Sequence, residues 1–337
     1  MKFKTMMLAW CLLIGELLAI TSVLASDLPD LGEVVQTPAK LQINAAEALR
    51  RDAVCTKCHD ESEIKPILSI YATKHGVRGD LRTPSCQSCH GESEAHVKNA
   101  EGKSTRPAPD VLFGARSSSY SSFSRSPTAA QNESCMQCHN NAGGKRNYWA
   151  GSQHERQGMP CAACHEVHAK SDKVLVKATQ PQVCFTCHKD QRNQSNQISH
   201  HPIAEGKVVC SDCHNPHGSA GPKLLKKNTV NETCFLCHAD KRGPFLWEHQ
   251  PVSEDCTNCH TPHGSNITPL LKSRPPFLCE ECHDGPHNSP KAAAGNAAGA
   301  QGGLKAAPST SYTGRACLNC HSMVHGSNSP AGAFLHR

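Results

Sequence analysis

Three observations predict the fold class: an elongated chain of loops and short α-helices, arranged as five tandem two-site units. The pentapeptide Cys-x-x-Cys-His occurs ten times and uses 20 of the 21 cysteines. Aromatic residues are only 4% of the 337-residue chain, and the mean hydropathy is −0.49. The pentapeptides also recur with a nearly constant pitch after the first unit. A chain so poor in large apolar side chains cannot bury enough surface for a protein-only core. Whatever the repeated motif holds must supply that core.

The motif states what it holds. In Cys210-Ser211-Asp212-Cys213-His214 the two cysteines are spaced to reach both vinyl groups of one haem, and His214 is placed to ligate its iron. This is the attachment signature of c-type haem. A zinc site gives no reason for a histidine after every second cysteine. No cysteine pair is left for a disulfide, since Cys11 stands alone near the N-terminus. The fold class is therefore a multihaem c-type cytochrome with a haem-packed core. Its ten sites are Cys55, Cys58 and His59; Cys86, Cys89 and His90; Cys135, Cys138 and His139; Cys161, Cys164 and His165; and Cys184, Cys187 and His188. They continue with Cys210, Cys213 and His214; Cys234, Cys237 and His238; Cys256, Cys259 and His260; Cys279, Cys282 and His283; and Cys317, Cys320 and His321.

Ten irons need ten further axial ligands. Beyond the N-terminal segment only Met136, Met159 and Met323 offer thioethers, whereas 12 of the 22 histidines lie outside the motifs. Ten bis-histidine haems are the expectation. Histidine in place of methionine lowers the potential of each haem. Six-coordinate, low-potential haems carry electrons and leave no iron position open to a substrate, so an electron carrier rather than an enzyme is expected. The distal candidates are His75, His96, His154, His168, His201, His217, His249, His263, His287 and His325. His200 is the alternative to His201, and His336 is left over at the chain end. His217 follows His214 by three residues, too few to pass round the rim of the same porphyrin. It is expected to bind a neighbouring haem and draw the two together.

The repeat organises these residues. Each unit has a first motif, a lone histidine, a second motif and a trailing histidine. The units begin at Cys55, Cys135, Cys184, Cys234 and Cys279, spaced 80, 49, 50 and 45 residues apart. Near-constant pitch argues for stacking along one axis, each unit touching its neighbours. The long first step holds a Ser-rich insertion near 92–132, read as a loop that either contacts a partner or is a solvated excursion. In unit five a small-residue stretch, Lys291 to Gly303, separates His287 from Cys317. The expected organisation is a leader over 1–25, an N-terminal segment over 26–54, haems one to four over 55–183 and haems five to ten over 184–337.

Lys2 and Lys4, an apolar run and Val23-Leu24-Ala25 read as an export signal. An uncleaved anchor is the alternative, the run being just short of a span. The formal charge of +6 misleads. Without Lys2, Lys4 and Glu16 of the leader it is +5; ten haems add about 20 propionate charges against about 10 from ferric porphyrins, so the oxidised mature protein is about −5. Nucleic acid is excluded as a partner.

From Cys234 onward the text T-C-F-L-C-H-A-D-K-R-G-P-F-L-W-E-H-Q-P-V, then C-T-N-C-H-T-P-H-G-S, L-K-S-R-P-P-F-L-C-E-E-C-H and A-C-L-N-C-H-S-M-V-H-G-S-N, resembles the periplasmic decahaem cytochromes of the MtrA/MtoA/PioA (DmsE) family. The resemblance implies a conduit seated in an outer-membrane β-barrel porin. Such a conduit joins a periplasmic or quinone-linked inner-membrane redox partner to an extracellular cytochrome or iron mineral. It also implies that the Cys317 haem faces outward and the Cys55 haem the periplasm. Metal reducers run such a wire outward and iron oxidisers inward. The alternatives are a soluble periplasmic electron carrier, which needs no barrel, and a multihaem reductase, which needs an open iron position that no motif here provides.

Overall fold

The computed structural model describes residues 45–62, 66–99, 106–114, 124–139, 148–283, 317–330 and 332–336. The expected leader, the small-residue stretch after His287 and His287 itself lie outside the described residues. Among the described residues the backbone forms short helices joined by turns, with isolated bridges and no β-strand. The longest helices, Ala45–Thr56 and Thr128–His139, have 12 residues each. No described helix is long and apolar enough to cross a membrane.

The haem motifs explain why the helices are short. In each motif the histidine amide donates to the carbonyl oxygen of the first cysteine, at 3.0 Å in His59–Cys55, 2.9 Å in His214–Cys210 and 2.8 Å in His283–Cys279. One helical turn sets positions i, i+3 and i+4 on one face, so both cysteines and the histidine point the same way. The turn then stops. Pro216 and Pro262 follow two residues after His214 and His260, and the residue before a proline is driven out of the helical region. After His90, Gly91 takes φ 78°, a conformation that costs glycine nothing.

Two kinds of clip assemble the repeat. Within a unit, a buried asparagine three residues before the first motif holds the second. The Asn132 side chain accepts from the Cys161 amide at 2.8 Å and donates to the Met159 carbonyl at 3.2 Å. Asn231 repeats this with Cys256 at 2.7 Å and Val252 at 2.8 Å. In unit three Pro181 occupies the equivalent position, and Gln180 beside it takes the role, accepting from the Ser211 amide at 2.9 Å. Between units, the residues after a trailing histidine pair with those before the preceding lone histidine. Ser265 forms an antiparallel bridge with Ser199, and Ser327 with Trp247. Gly264 sits where any Cβ would overlap the Gln194 carbonyl.

Almost no apolar side chain is fully buried. Val209 at 3% and Leu271 at 7% exposure form, with three prolines, the whole buried apolar set among the described residues. The other buried side chains are polar, asparagines and serines of the clips among them. This matches a core made of something other than side chains.

The insertion departs from the expected loop. It includes the helix Glu94–Lys98, and the helix Thr128–His139 begins within it. The segment 106–114 folds back on unit one: the Asp110 carboxylate accepts from the Ser93 amide at 2.8 Å, and the Ser93 hydroxyl accepts from the Asp110 amide at 3.1 Å. These paired bonds give residues 106–114 a fixed place, while the Ser-rich stretch over 115–123 lies outside the described residues.

The contacts divide the chain into two compact units, Met1–Arg51 with Arg78–Arg82, and Asp52–Val77 with Thr83–Arg337. In the first, Asp80 holds Arg82 at 2.7 Å. The haem motifs all belong to the second.

Candidate haem-binding file

The cysteines of consecutive motifs are neighbours at every step, paired within units and within electrostatic range between them. Within units, first cysteines share side-chain hydrogen bonds: Cys55 with Cys86, Cys135 with Cys161, Cys184 with Cys210, Cys234 with Cys256 and Cys279 with Cys317. Between units, Cys89 lies within electrostatic range of Cys138, Cys164 of Cys187, Cys213 of Cys237 and Cys259 of Cys282. The ten motifs therefore form one file in sequence order.

The histidines form a second pattern. Two metal–nitrogen bonds of about 2 Å, plus the imidazole radii, place ring centroids about 6 Å apart across a shared metal. Nine pairs have this spacing. His59 and His96 stand 6.2 Å apart, His75 and His139 6.0 Å, and His90 and His168 6.2 Å. His154 and His188 are at 6.1 Å, His165 and His217 at 6.0 Å, and His201 and His238 at 6.2 Å. His214 and His263 are at 6.1 Å, His249 and His283 at 6.0 Å, and His260 and His325 at 6.1 Å.

Except for His59 with His96, every such pair joins neighbouring units. A lone histidine faces the first motif of the next unit. A trailing histidine faces the second motif of the unit before. Each unit boundary is thus crossed twice. His217 does stand opposite a neighbouring site, that of His165.

Hydrogen bonds fix which nitrogen faces the pair. The Nδ1 atoms of His96, His154, His168, His201 and His249 lie against the carbonyl oxygens of Pro107, Pro216, Ile67, Pro262 and Val324, at 2.6 to 3.0 Å. Those of His90, His214, His260 and His321 lie against Val111, Lys223, Pro269 and Phe334, at 2.6 to 2.9 Å. A carbonyl only accepts, so Nδ1 carries the proton and Nε2 keeps its lone pair for a metal. Burial holds His90, His214, His263 and His325 below the usual imidazole range, favouring the neutral ring that ligation requires. His200 is different. Its Nε2 faces the Glu205 carboxylate at 3.3 Å, while the ring of His201 stands opposite that of His238.

His336, left without a role, places its ring 4.5 Å from that of His321. The tail returns because the Met323 amide donates to the Leu335 carbonyl at 3.0 Å and His321 holds the Phe334 carbonyl at 2.6 Å. That ring spacing is too short for an iron between the rings.

Sequence reasoning missed the supports. Val111 and Pro107 of the insertion hold the Nδ1 atoms of His90 and His96, and Phe113 meets the His90 ring edge-on at 5.1 Å. These are mostly backbone contacts, which leave no side-chain signal to read.

All twenty motif cysteines and the nine histidine pairs line one continuous cavity of 5720 Å³. Spread over ten motifs that is 572 Å³ apiece, within the usual range of about 300–1,000 Å³ for a small-molecule site. Cysteine spacing, ring separation, tautomer and volume all fit covalently bound haem.

Comparison with known proteins agrees. The doubled CXXCH motif matches residues 200–243 and 249–288, and a model of cytochrome c-type protein NrfB-like sequences matches residues 86–179. Over 159 residues the chain is 29% identical to the cytochrome c-type protein NrfB of Haemophilus influenzae, covering 42% of this chain and 66% of that protein. Over 287 residues it is 41% identical to the multihaem cytochrome MtrA of Shewanella baltica, covering 84% of this chain and 80% of that protein. Identity of 41% over 84% of the chain places it in the MtrA family of multihaem c-type cytochromes, electron carriers that hold haem c covalently.

Proposed function

We propose that this protein is a ten-haem wire that carries electrons through the outer membrane inside a β-barrel porin. One end meets a periplasmic or quinone-linked donor or acceptor, and the other an extracellular cytochrome or iron mineral. The observation that carries the reading is the unbroken file of motifs, in which every unit boundary is crossed by two histidine pairs at 6.0 to 6.2 Å. Bound haem supplies a one-electron ferric/ferrous couple at each site. The chain's own residues set spacing, ligation and insulation.

All ten haems are bis-histidine in this reading, nine of them through the pairs given above. The repeat leaves one pair to complete. At the start, His59 has no preceding lone histidine and His96 no preceding second motif, and these two meet. At the end, the site of His321 has no following trailing histidine and His287 no following first motif. By the same rule His287 ligates the tenth haem, and His336 packs beside His321 on the Nδ1 side.

The porin, the periplasmic location and the outward-facing Cys317 end come from the family resemblance. The test is fractionation of native cells by haem stain, with mass spectrometry of what co-purifies in mild detergent. Recovery in the outer membrane with a large β-barrel protein is expected. Recovery only in the soluble periplasm without a barrel would replace the conduit with a soluble carrier.

A further inference from the structure

The second motifs of the repeat can be compared with one another. In unit three the His214 ring holds the Lys223 carbonyl, and a bridge joins His214 to Leu225. In unit four the His260 ring holds the Pro269 carbonyl, and a bridge joins His260 to Leu271. His90 and His321 likewise hold carbonyls, of Val111 and Phe334. Unit two breaks the series. His165 Nδ1 faces a carboxylate, Asp172 Oδ2, at 2.7 Å. The Asp172 side chain is 15% exposed. Its other oxygen accepts from the Glu166 and Val174 amides, both at 3.3 Å, so the carboxylate is aimed by its own turn. Lys173 pairs instead with Glu166, at 3.9 Å. On the far side of the site His217 lies parallel to His165, at 9°.

A carboxylate accepts the imidazole proton more strongly than a carbonyl does. It draws that proton away, makes the ring a stronger donor to a metal, and adds a negative charge nearby. Both effects favour ferric over ferrous iron, and hydrogen bonding to an axial ligand is a recognised lever on haem potential.

We propose that Asp172 is a positioning residue that lowers the potential of the fourth haem through His165, and so sets a step in the wire at the boundary between units two and three. This rests on the reading that His165 and His217 share an iron. Asp172→Asn keeps an acceptor for Nδ1 but removes the charge. Asp172→Glu restores the charge.

The test is a potentiometric titration of the holoprotein, followed by low-temperature EPR and near-infrared magnetic circular dichroism. In the Asn variant one couple of the ten is expected to favour reduction about tenfold more, a rise of about 59 mV for a one-electron couple. The Glu variant is expected to move it back. The oxidised wild-type protein should already show one haem whose charge-transfer band is displaced from the others towards imidazolate ligation, which needs no variant to fold. Ten unmoved couples in the Asn variant, or no displaced band in the wild type, would leave Asp172 as a structural clip and overturn the proposal. A stoichiometric high-spin ferric signal from the fourth site of the wild-type protein would instead overturn the shared-iron reading, and this proposal with it.

Discussion

The rings of His201 and His238 face each other at 6.2 Å across a unit boundary, while the adjacent His200 turns to Glu205. His201→Met is therefore expected to raise the potential of the haem on Cys234 and Cys237, not that of the haem on Cys210 and Cys213. Thioether in place of imidazole raises haem potentials. His200→Ala should leave all ten couples in place. A redox titration with site-resolved NMR checks both, and a shift caused by His200→Ala would reverse the assignment.

The boundary clips leave no room at Gly264. A methyl group there would overlap the Gln194 carbonyl, which is backbone and cannot swing away. Gly264→Ala is expected to cost about 1–3 kcal/mol, the usual range for overpacking. A lowered denaturation midpoint is the readout. The boundary between units three and four should loosen first, seen as faster amide exchange at Ser199 and Ser265, which pair there at 2.9 and 2.7 Å. An unchanged midpoint would mean that the clip contributes little.

The haem-free chain should not fold. With Val209, Leu271 and three prolines the only buried apolar side chains among the described residues, hydrophobic burial cannot offset the conformational entropy of ordering the chain. Expression without haem attachment, followed by circular dichroism, is expected to show a disordered chain without a cooperative melt. A compact apoprotein that melts cooperatively would refute the haem-core account.

The two candidate ligands at the tenth site separate cleanly. His287→Ala is expected to convert one haem of ten to high-spin ferric, seen by EPR. His336→Ala, at a ring spacing of 4.5 Å from His321, should leave every haem low-spin. The opposite result would assign His336 to the iron and break the rule that neighbouring units exchange ligands.

Much of this was legible because covalent haem attachment dictates local sequence. Cys210, Cys213 and His214 can serve one haem only at that spacing, and the turn that presents them follows from backbone hydrogen bonding. The pairing of His154 with His188 was not legible. The sequence places His154 in one unit and says nothing of which neighbour it reaches, since that depends on the stacking of units. The carbonyls that support His321, His90 and His96 were not legible for a related reason. They are the backbone carbonyls of Phe334, Val111 and Pro107, groups every residue carries. Asp172 was passed over because a lone aspartate after a motif looks like a solvated turn until its repeat counterparts at Lys223 and Pro269 are seen to offer carbonyls instead.

The central claim is electron passage along the whole file through a membrane. The most direct measurement uses the proposed complex of this cytochrome with a β-barrel porin, reconstituted in liposomes that enclose a reduced viologen dye, with an insoluble ferric oxide outside. The account predicts that the enclosed dye is oxidised by the complex and that His217→Met slows this while the complex still assembles. Dye that stays reduced in liposomes holding the intact, fully haem-loaded complex would contradict it.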